Sequence, residues 1–206
     1  MKKELSICSI FLCITILSWI GCKQKDATKN KTAAAGVSVT NNYGGFKSEK
    51  DWGKHLVSIG GCNDCHSPKI MTSMGPVPDT SLMLSGHPSN MPAADVNRGM
   101  IAANGLVVTN DLTSWVGPWG VSFAANLTPD STGIGNWKES QFITAIRKGK
   151  YMGIEGSRQL LPPMPWQGLS VMTDGELKAI FTYLKSIKPV HNIVPLPLPP
   201  VTGKGQ

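Results

Sequence analysis

Cys62-Asn63-Asp64-Cys65-His66 constrains this 206-residue chain more than any other short run in it. Two thiols stand three positions apart and an imidazole follows directly. On a helical turn such residues face one object. The flanks suit that geometry. Ser48 and Asp51 are spaced as a capping box with Asp in place of the usual Glu. Trp52, Leu56 and Ile59 then recur at i, i+4 and i+7, one face of a helix. Gly60-Gly61 ends that helix and lets the backbone approach a bulky neighbour closely. Pro68 follows, and a backbone carbonyl in this turn is expected to accept a bond from His66 Nδ1, which would fix the ring's tautomer.

Cys-x-x-Cys-His is an attachment pattern for haem. Both thiols reach the vinyl groups of one porphyrin as thioethers, and the histidine ligates the iron through a ring nitrogen. Two other chemistries use paired cysteines. A redox dithiol follows a strand in a βαβ pattern, and no such pattern precedes Cys62. A zinc site needs a second Cys or His pair at suitable spacing, and no further Cys pair follows. The cofactor expected is therefore one covalent haem c, bound at Cys62 and Cys65 with His66 on the iron.

A sixth ligand decides whether the iron is open to substrate. Met164 is the best candidate, in Leu160-Leu161-Pro162-Pro163-Met164-Pro165-Trp166. Three prolines hold the loop rigid and lower the entropy cost of pressing it on a metal. The neutral, soft thioether favours reduced iron and raises its potential. Trp166 can pack on the ring. Met91 also precedes a proline, but in a loose segment. His87 and His191 would give a bis-histidine iron. His55 lies on the helix before the motif, as a surface residue.

The rest of the chain divides by composition. Residues 1–21 read as a signal peptide of lipoprotein type: Lys2 and Lys3, an apolar run over 5–20, then Trp19-Ile20-Gly21-Cys22. Cys22 is the expected lipid attachment site. Residues 22–45 read as a flexible tether with alternating lysines and no apolar period. Residues 46–194 hold the folded domain, and 195–206 form a proline-rich tail of extended chain. Within the domain, 67–125 is long, Gly- and Pro-rich and weakly periodic. It is expected to wrap the haem edge, with residues 106–109 and 121–123 as a small hairpin. Asn136 opens a helix with Trp137, Phe142, Ala145 and Ile146 on one face, closed by Gly149. Thr173 and Glu176 cap the last helix, which carries Leu177, Ile180, Phe181, Leu184 and Ile187 on one side and stops before Pro189.

This division explains the bulk numbers. The five cysteines resolve into two in the signal, one lipid anchor and two thioethers. Most of the formal net charge of +7 lies in Lys2, Lys3 and the tether's Lys23, Lys25, Lys29 and Lys31. No compact basic stripe remains to hold nucleic acid.

The assembled residues are similar to class I cytochromes c. They look more closely like the cytochrome subunits of bacterial membrane-bound alcohol and aldehyde dehydrogenases, here in a single-haem lipoprotein form. The resemblance covers about residues 52–194. It rests on Gly60-Gly61-Cys62-Asn63-Asp64-Cys65-His66-Ser67-Pro68, on Asn126-Leu127-Thr128-Pro129-Asp130 with Thr132-Gly133-Ile134-Gly135 and Trp137, and on Leu161-Pro162-Pro163-Met164-Pro165. Tyr183-Leu184-Lys185-Ser186 with Pro189 also fits. It implies a mainly α, cytochrome c-like domain whose first and last helices cross beside the haem. It also implies His66 and Met164 as axial ligands, with Asn126, Thr128, Trp137 and Arg158 near the propionates or the ring. The expected function is single-electron transfer on the periplasmic side of a membrane, between a dehydrogenase or quinol-oxidising complex and an acceptor. No small-molecule substrate is expected at the iron. Two alternatives stand beside it: a haem enzyme, peroxidase-like or oxidising sulfur compounds, with a displaceable methionine, and a haem-based sensor or interaction module.

Overall fold

A computed structural model of the chain describes residues 42–201. The expected signal peptide, Cys22 and nearly all of the expected tether lie outside the described residues.

Helix α1 (Glu49–Ile59) begins where Ser48 Oγ accepts the Asp51 N–H at 3.1 Å. The Asp51 carboxylate takes the Ser48 hydroxyl rather than its backbone N–H, so the box is half closed. The buried face is Gly53, Leu56 and Val57. Ile59, expected on the inner face, is 66% exposed. At 100° per residue it lies roughly a third of a turn from the centre of the buried face. The short helix α2 (Cys62–His66) follows at once, after Gly61 in the left-handed conformation.

The last helix, α6 (Asp174–Ser186), has the full capping box between Thr173 and Glu176. It packs across α1. The two helices approach backbone to backbone, because Gly53 has no Cβ where the Ala179 carbonyl lies. Helix α4 (Glu139–Lys148) closes with Gly149 at a φ of 63°. It begins later than Asn136. Residues 128–137 are wound in tight turns, in which the Gly133 and Gly135 N–H groups share the Asp130 carbonyl and the Trp137 N–H bonds the Ile134 carbonyl. Trp137 thus stays in the turn, and Gln141 Oε1 takes the Lys138 N–H at the helix start. Leu56, Val57, Leu84, Ile134, Phe142, Ile146, Leu177, Ile180, Phe181 and Leu184 form the core between these helices.

The long stretch after His66 is more regular than its composition suggests: beside the helices, which hold most of the regular structure, the domain carries two small antiparallel sheets. Strands β1 (Lys69–Thr72) and β2 (Gly75–Pro78) make an exposed hairpin. Helix α3 (Arg98–Asn104) precedes a three-stranded antiparallel sheet of β3 (Val107–Val108), β4 (Ser114–Gly117) and β5 (Gly120–Phe123). The expected hairpin of 106–109 with 121–123 is corrected by β4, which lies between them and pairs with both. Every residue of β4 is buried, so the strand lacks the polar alternation of a half-exposed one. A short helix α5 (Trp166–Leu169) links the Met164 loop to α6. The proline-rich tail is not free: Val121 and Leu198 exchange both backbone bonds, at 2.9 and 3.0 Å. Gly120 makes room for it, since a Cβ there would lie 2.1 Å from the Leu198 carbonyl oxygen. Among the described residues, no helix is long and apolar enough to cross a membrane.

Candidate cofactor site

The turn of α2 carries Cys62, Cys65 and His66 together. Asn63 and Lys69 brace it. Ser67 Oγ donates to Asn63 Oδ1 and accepts the Leu84 N–H at 2.9 Å. The Lys69 ammonium donates to the carbonyls of Asn63, Asp64 and Ser67. Those carbonyls face the end of the short helix, where unpaired acceptors and the negative end of the dipole favour a cation.

His66 is buried, and its Nδ1 lies 2.7 Å from the carbonyl oxygen of Ala125. A carbonyl only accepts, so Nδ1 carries the proton. In the neutral ring the lone pair is then on Nε2, the nitrogen that a metal would take. Burial pushes the His66 pKa down despite the Ala125 bond, which keeps the ring neutral. The acceptor is corrected from the expected turn at Pro68 to a residue 59 positions along the chain. The intervening segment folds out as the two sheets and returns to the motif, with the Gly86 N–H bonding the His66 carbonyl at 2.8 Å.

The thiols are held protonated. Burial, with Asp64 and Cys65 adding to it, raises Cys62 to about 11. Burial likewise raises Cys65, against the opposing charge of Lys69. Reactive redox dithiols need the reverse, a depressed thiol pKa. Among the described residues, no group of three or more His, Cys, Asp and Glu could hold a metal ion.

Met164, Cys62, Leu127 and Trp137 pack against the same hydrophobic core, so both halves of the expected ligand set border one apolar region. The methionine loop is tied to the sheet: Ser122 Oγ donates to the Pro162 carbonyl and accepts the Trp119 Nε1–H. Its other end is fixed where the Leu160 N–H bonds the Gly149 carbonyl, and Trp166 lies against Gly149. The residues therefore fit haem c. Among the described residues they supply two unpaired thiols on one turn, an imidazole whose Nε2 takes no hydrogen bond, and a thioether on the same apolar core.

The remaining expected site residues fall into two groups. Asn126 and Thr128 are buried and bonded to each other, with Asn126 Oδ1 accepting both the Thr128 N–H and its hydroxyl. Asn126 Nδ2 donates to the Val190 carbonyl, and Thr128 Oγ1 accepts the Val190 N–H. They hold the stretch of chain that carries Ala125. Arg158 is exposed, 4.0 Å over the Tyr151 ring. The rival histidines are engaged elsewhere. His87 is fully buried, with its ring nitrogens on Thr113 Oγ1 and the Met91 carbonyl. His191 sits 3.3 Å from Asp130, and His55 stacks on Phe46. Surface grooves of about 190 and 280 Å³ lie away from the motif, one against Leu84 and Ile187 and the other against Trp52 and Lys178.

No family model matches the chain. Curated bacterial proteins do. It is 33% identical over 106 residues to the fructose dehydrogenase cytochrome subunit of Gluconobacter japonicus, covering 49% of this chain and 20% of that protein. It is 31% identical over 80 residues to the gluconate 2-dehydrogenase cytochrome c subunit of Pantoea cypripedii, covering 38% and 16%. Identity to a subunit of the nicotinate dehydrogenase of Pseudomonas putida is 33% over 101 residues, covering 48% and 8%. The match thus spans a fifth or less of each of these relatives. Two of these three relatives are cytochrome subunits of dehydrogenases, and the chain is similar to them over less than half of its own length.

Proposed function

We propose that this chain is a single-haem electron carrier of the bacterial cell envelope. The observation that carries it is the His66 Nδ1–Ala125 bond of 2.7 Å on the turn that also bears Cys62 and Cys65. It leaves Nε2 as the only ring nitrogen able to ligate. Cys62 and Cys65 would hold the porphyrin as thioethers, with His66 and Met164 as axial ligands. Bound there, haem c supplies a one-electron couple at its edge. The chain's own work is to ligate, to exclude water and to present a docking face. With both His66 and Met164 holding the iron, the haem would serve electron transfer and not substrate binding. The Met164 thioether would raise the potential, and the hydrogen-bonded His66 imidazole would lower it.

The similarity to dehydrogenase cytochrome subunits supports a dehydrogenase as electron donor, with a further cytochrome or oxidase as acceptor. A signal over 1–21 and a lipid on Cys22 would hold the domain at the periplasmic side of a membrane, on the tether of 22–45.

Purification of the mature protein tests this directly. Haem should remain with the polypeptide on a denaturing gel, and be lost when Cys62 and Cys65 are both replaced by alanine. The ferric protein should show a weak far-red band that disappears in Met164→Ala. A high-spin, ligand-accessible wild-type haem would instead favour an enzyme. Radiolabelled lipid should be incorporated by the wild type and not by Cys22→Ala.

A further inference from the structure

The bond that orients His66 ends on a backbone carbonyl, and a backbone carbonyl is only as fixed as its neighbours. Ala125 is held from two sides. On one side, the Ala124 N–H bonds the Thr113 carbonyl at 2.8 Å, and Asn126 is buried in its bonds to Thr128 and Val190. On the other side lies the turn of residues 85–89. Gly86, at a φ of 78°, presses directly on the Ala124–Ala125 peptide, and a Cβ there would be 2.5 Å from the Ala124 oxygen and 2.6 Å from the Ala125 carbon. Its N–H bonds the His66 carbonyl, and the next N–H, of His87, bonds the Ala124 carbonyl at 2.9 Å. The turn therefore grips both the histidine and the segment that carries its acceptor.

One side chain holds that turn. Asn192 is buried, in the extended chain that follows α6. Its Nδ2 donates to the Ser85 carbonyl at 2.7 Å and to the His87 carbonyl at 2.9 Å, while Oδ1 accepts the Ser89 N–H at 2.9 Å. Its own N–H reaches Thr132 Oγ1 at 3.0 Å. Both ends of the amide are saturated by a turn more than a hundred residues away in sequence. Two donors on carbonyls and an acceptor on an N–H suit an amide and no other small side chain.

We propose that Asn192 is a positioning residue for His66: through the turn 85–89 it fixes the Ala125 carbonyl that accepts the imidazole N–H. This rests on the assignment of His66 as an iron ligand. A strong bond from the far ring nitrogen makes the imidazole a better donor and stabilises ferric iron. Loosening the turn weakens that bond, so the reduction potential rises while the Met164 side is untouched.

The test uses the full haem-loaded protein and two variants, Asn192→Ala and the milder Asn192→Ser, which keeps one donor. Redox titration should show an upward shift in midpoint potential, larger in Asn192→Ala, with the far-red Met164 band retained. Amide hydrogen exchange at Gly86 and His87 should quicken in the same order. The proton hyperfine shifts of the His66 ring in the ferric protein should move. If only the melting temperature falls, while the potential, the His66 shifts and the exchange at Gly86 stay at wild-type values, Asn192 is structural and the proposal is overturned. Should Asn192→Ala fail to fold, Asn192→Ser alone decides by the same readings. Absence of covalent haem from the wild type would overturn the electron-carrier assignment instead, and is seen before any variant is made.

Discussion

Gly53 meets the backbone of Ala179 where α1 crosses α6: a Cβ built on Gly53 would lie 1.8 Å from the Ala179 carbonyl oxygen and 2.9 Å from Tyr183 Cβ. This contact sets how closely the two helices approach, and α2 with its Cys-His turn is attached directly to the end of α1. Gly53→Ala should therefore be strongly overpacked, destabilising by about 1–3 kcal/mol or more. Gly156→Ala is the control, since a Cβ there meets nothing within 4 Å, and should stay within about 0.5 kcal/mol of wild type. Chemical denaturation of both variants measures the difference, and equal midpoints would remove the crossing from the account.

Ser122 joins the sheet to the methionine loop, taking the Trp119 Nε1–H at 3.1 Å and donating to the Pro162 carbonyl. Ser122→Ala leaves both partners without their bond, at a cost of about 1 kcal/mol. The sharper consequence is local. On the proposed ligation by Met164, a less tethered loop should release the iron more readily as pH rises, so the far-red band should be lost at a lower pH than in wild type. Ser122→Thr retains the hydroxyl and should restore the wild-type midpoint. An unchanged alkaline midpoint in Ser122→Ala would show that the prolines and the Leu160–Gly149 bond hold the loop without it.

Legibility in the sequence follows the range of the interactions. The Thr173–Glu176 box, the Gly149 helix end and the Cys62–Cys65–His66 turn each lie within a few residues, and each is visible as a residue pattern. The acceptor for His66 is a peptide oxygen of Ala125, and an alanine's carbonyl leaves no trace in side-chain identity. Strand β4 reads Ser-Trp-Val-Gly, with a polar residue and a glycine, yet it is wholly buried between two other strands. Asn126 and Thr128 are legible as a motif, and their polar groups hold the Val190 segment in this structure. Nothing in the run after α6 marks Asn192, whose partners are backbone atoms about a hundred residues earlier.

Acid should expose the turn around Asp130. The Thr132 hydroxyl and N–H both bond Asp130 Oδ1, at 2.6 and 2.8 Å, and His191 lies beside it. The Thr132 hydroxyl bond, then the Thr132 N–H bond, hold the Asp130 carboxyl below the usual range, with a smaller effect of His191. A carboxylate whose folded pKa is depressed stabilises the fold above its unfolded pKa of about 3.9, and that contribution is lost as pH falls through the folded value. Asp130→Asn keeps an oxygen acceptor for Thr132 and removes the titration. Thermal melts over a pH series should show the variant losing less stability than wild type below about pH 4. Parallel pH profiles would exclude Asp130 as a source of acid sensitivity.

Lys69 supplies the positive charge nearest the Cys-His turn, donating to three carbonyls at the end of α2. Lys69→Met keeps the apolar stem and removes the donors and the charge together. Hydrogen bonds to charged groups contribute about 1.5–3 kcal/mol each. Lys69 is only partly buried, so solvent replaces much of that, and a total loss of about 1–3 kcal/mol is expected. In the haem-loaded protein, a fixed cation beside the ligand turn favours the reduced, less positive iron, so its removal should lower the midpoint potential. That shift is opposite in sign to the one expected for Asn192→Ala, although both variants destabilise. A common loosening of the site would move both potentials the same way. Redox titration of the two variants side by side therefore separates a charge effect at Lys69 from a geometric effect at His66.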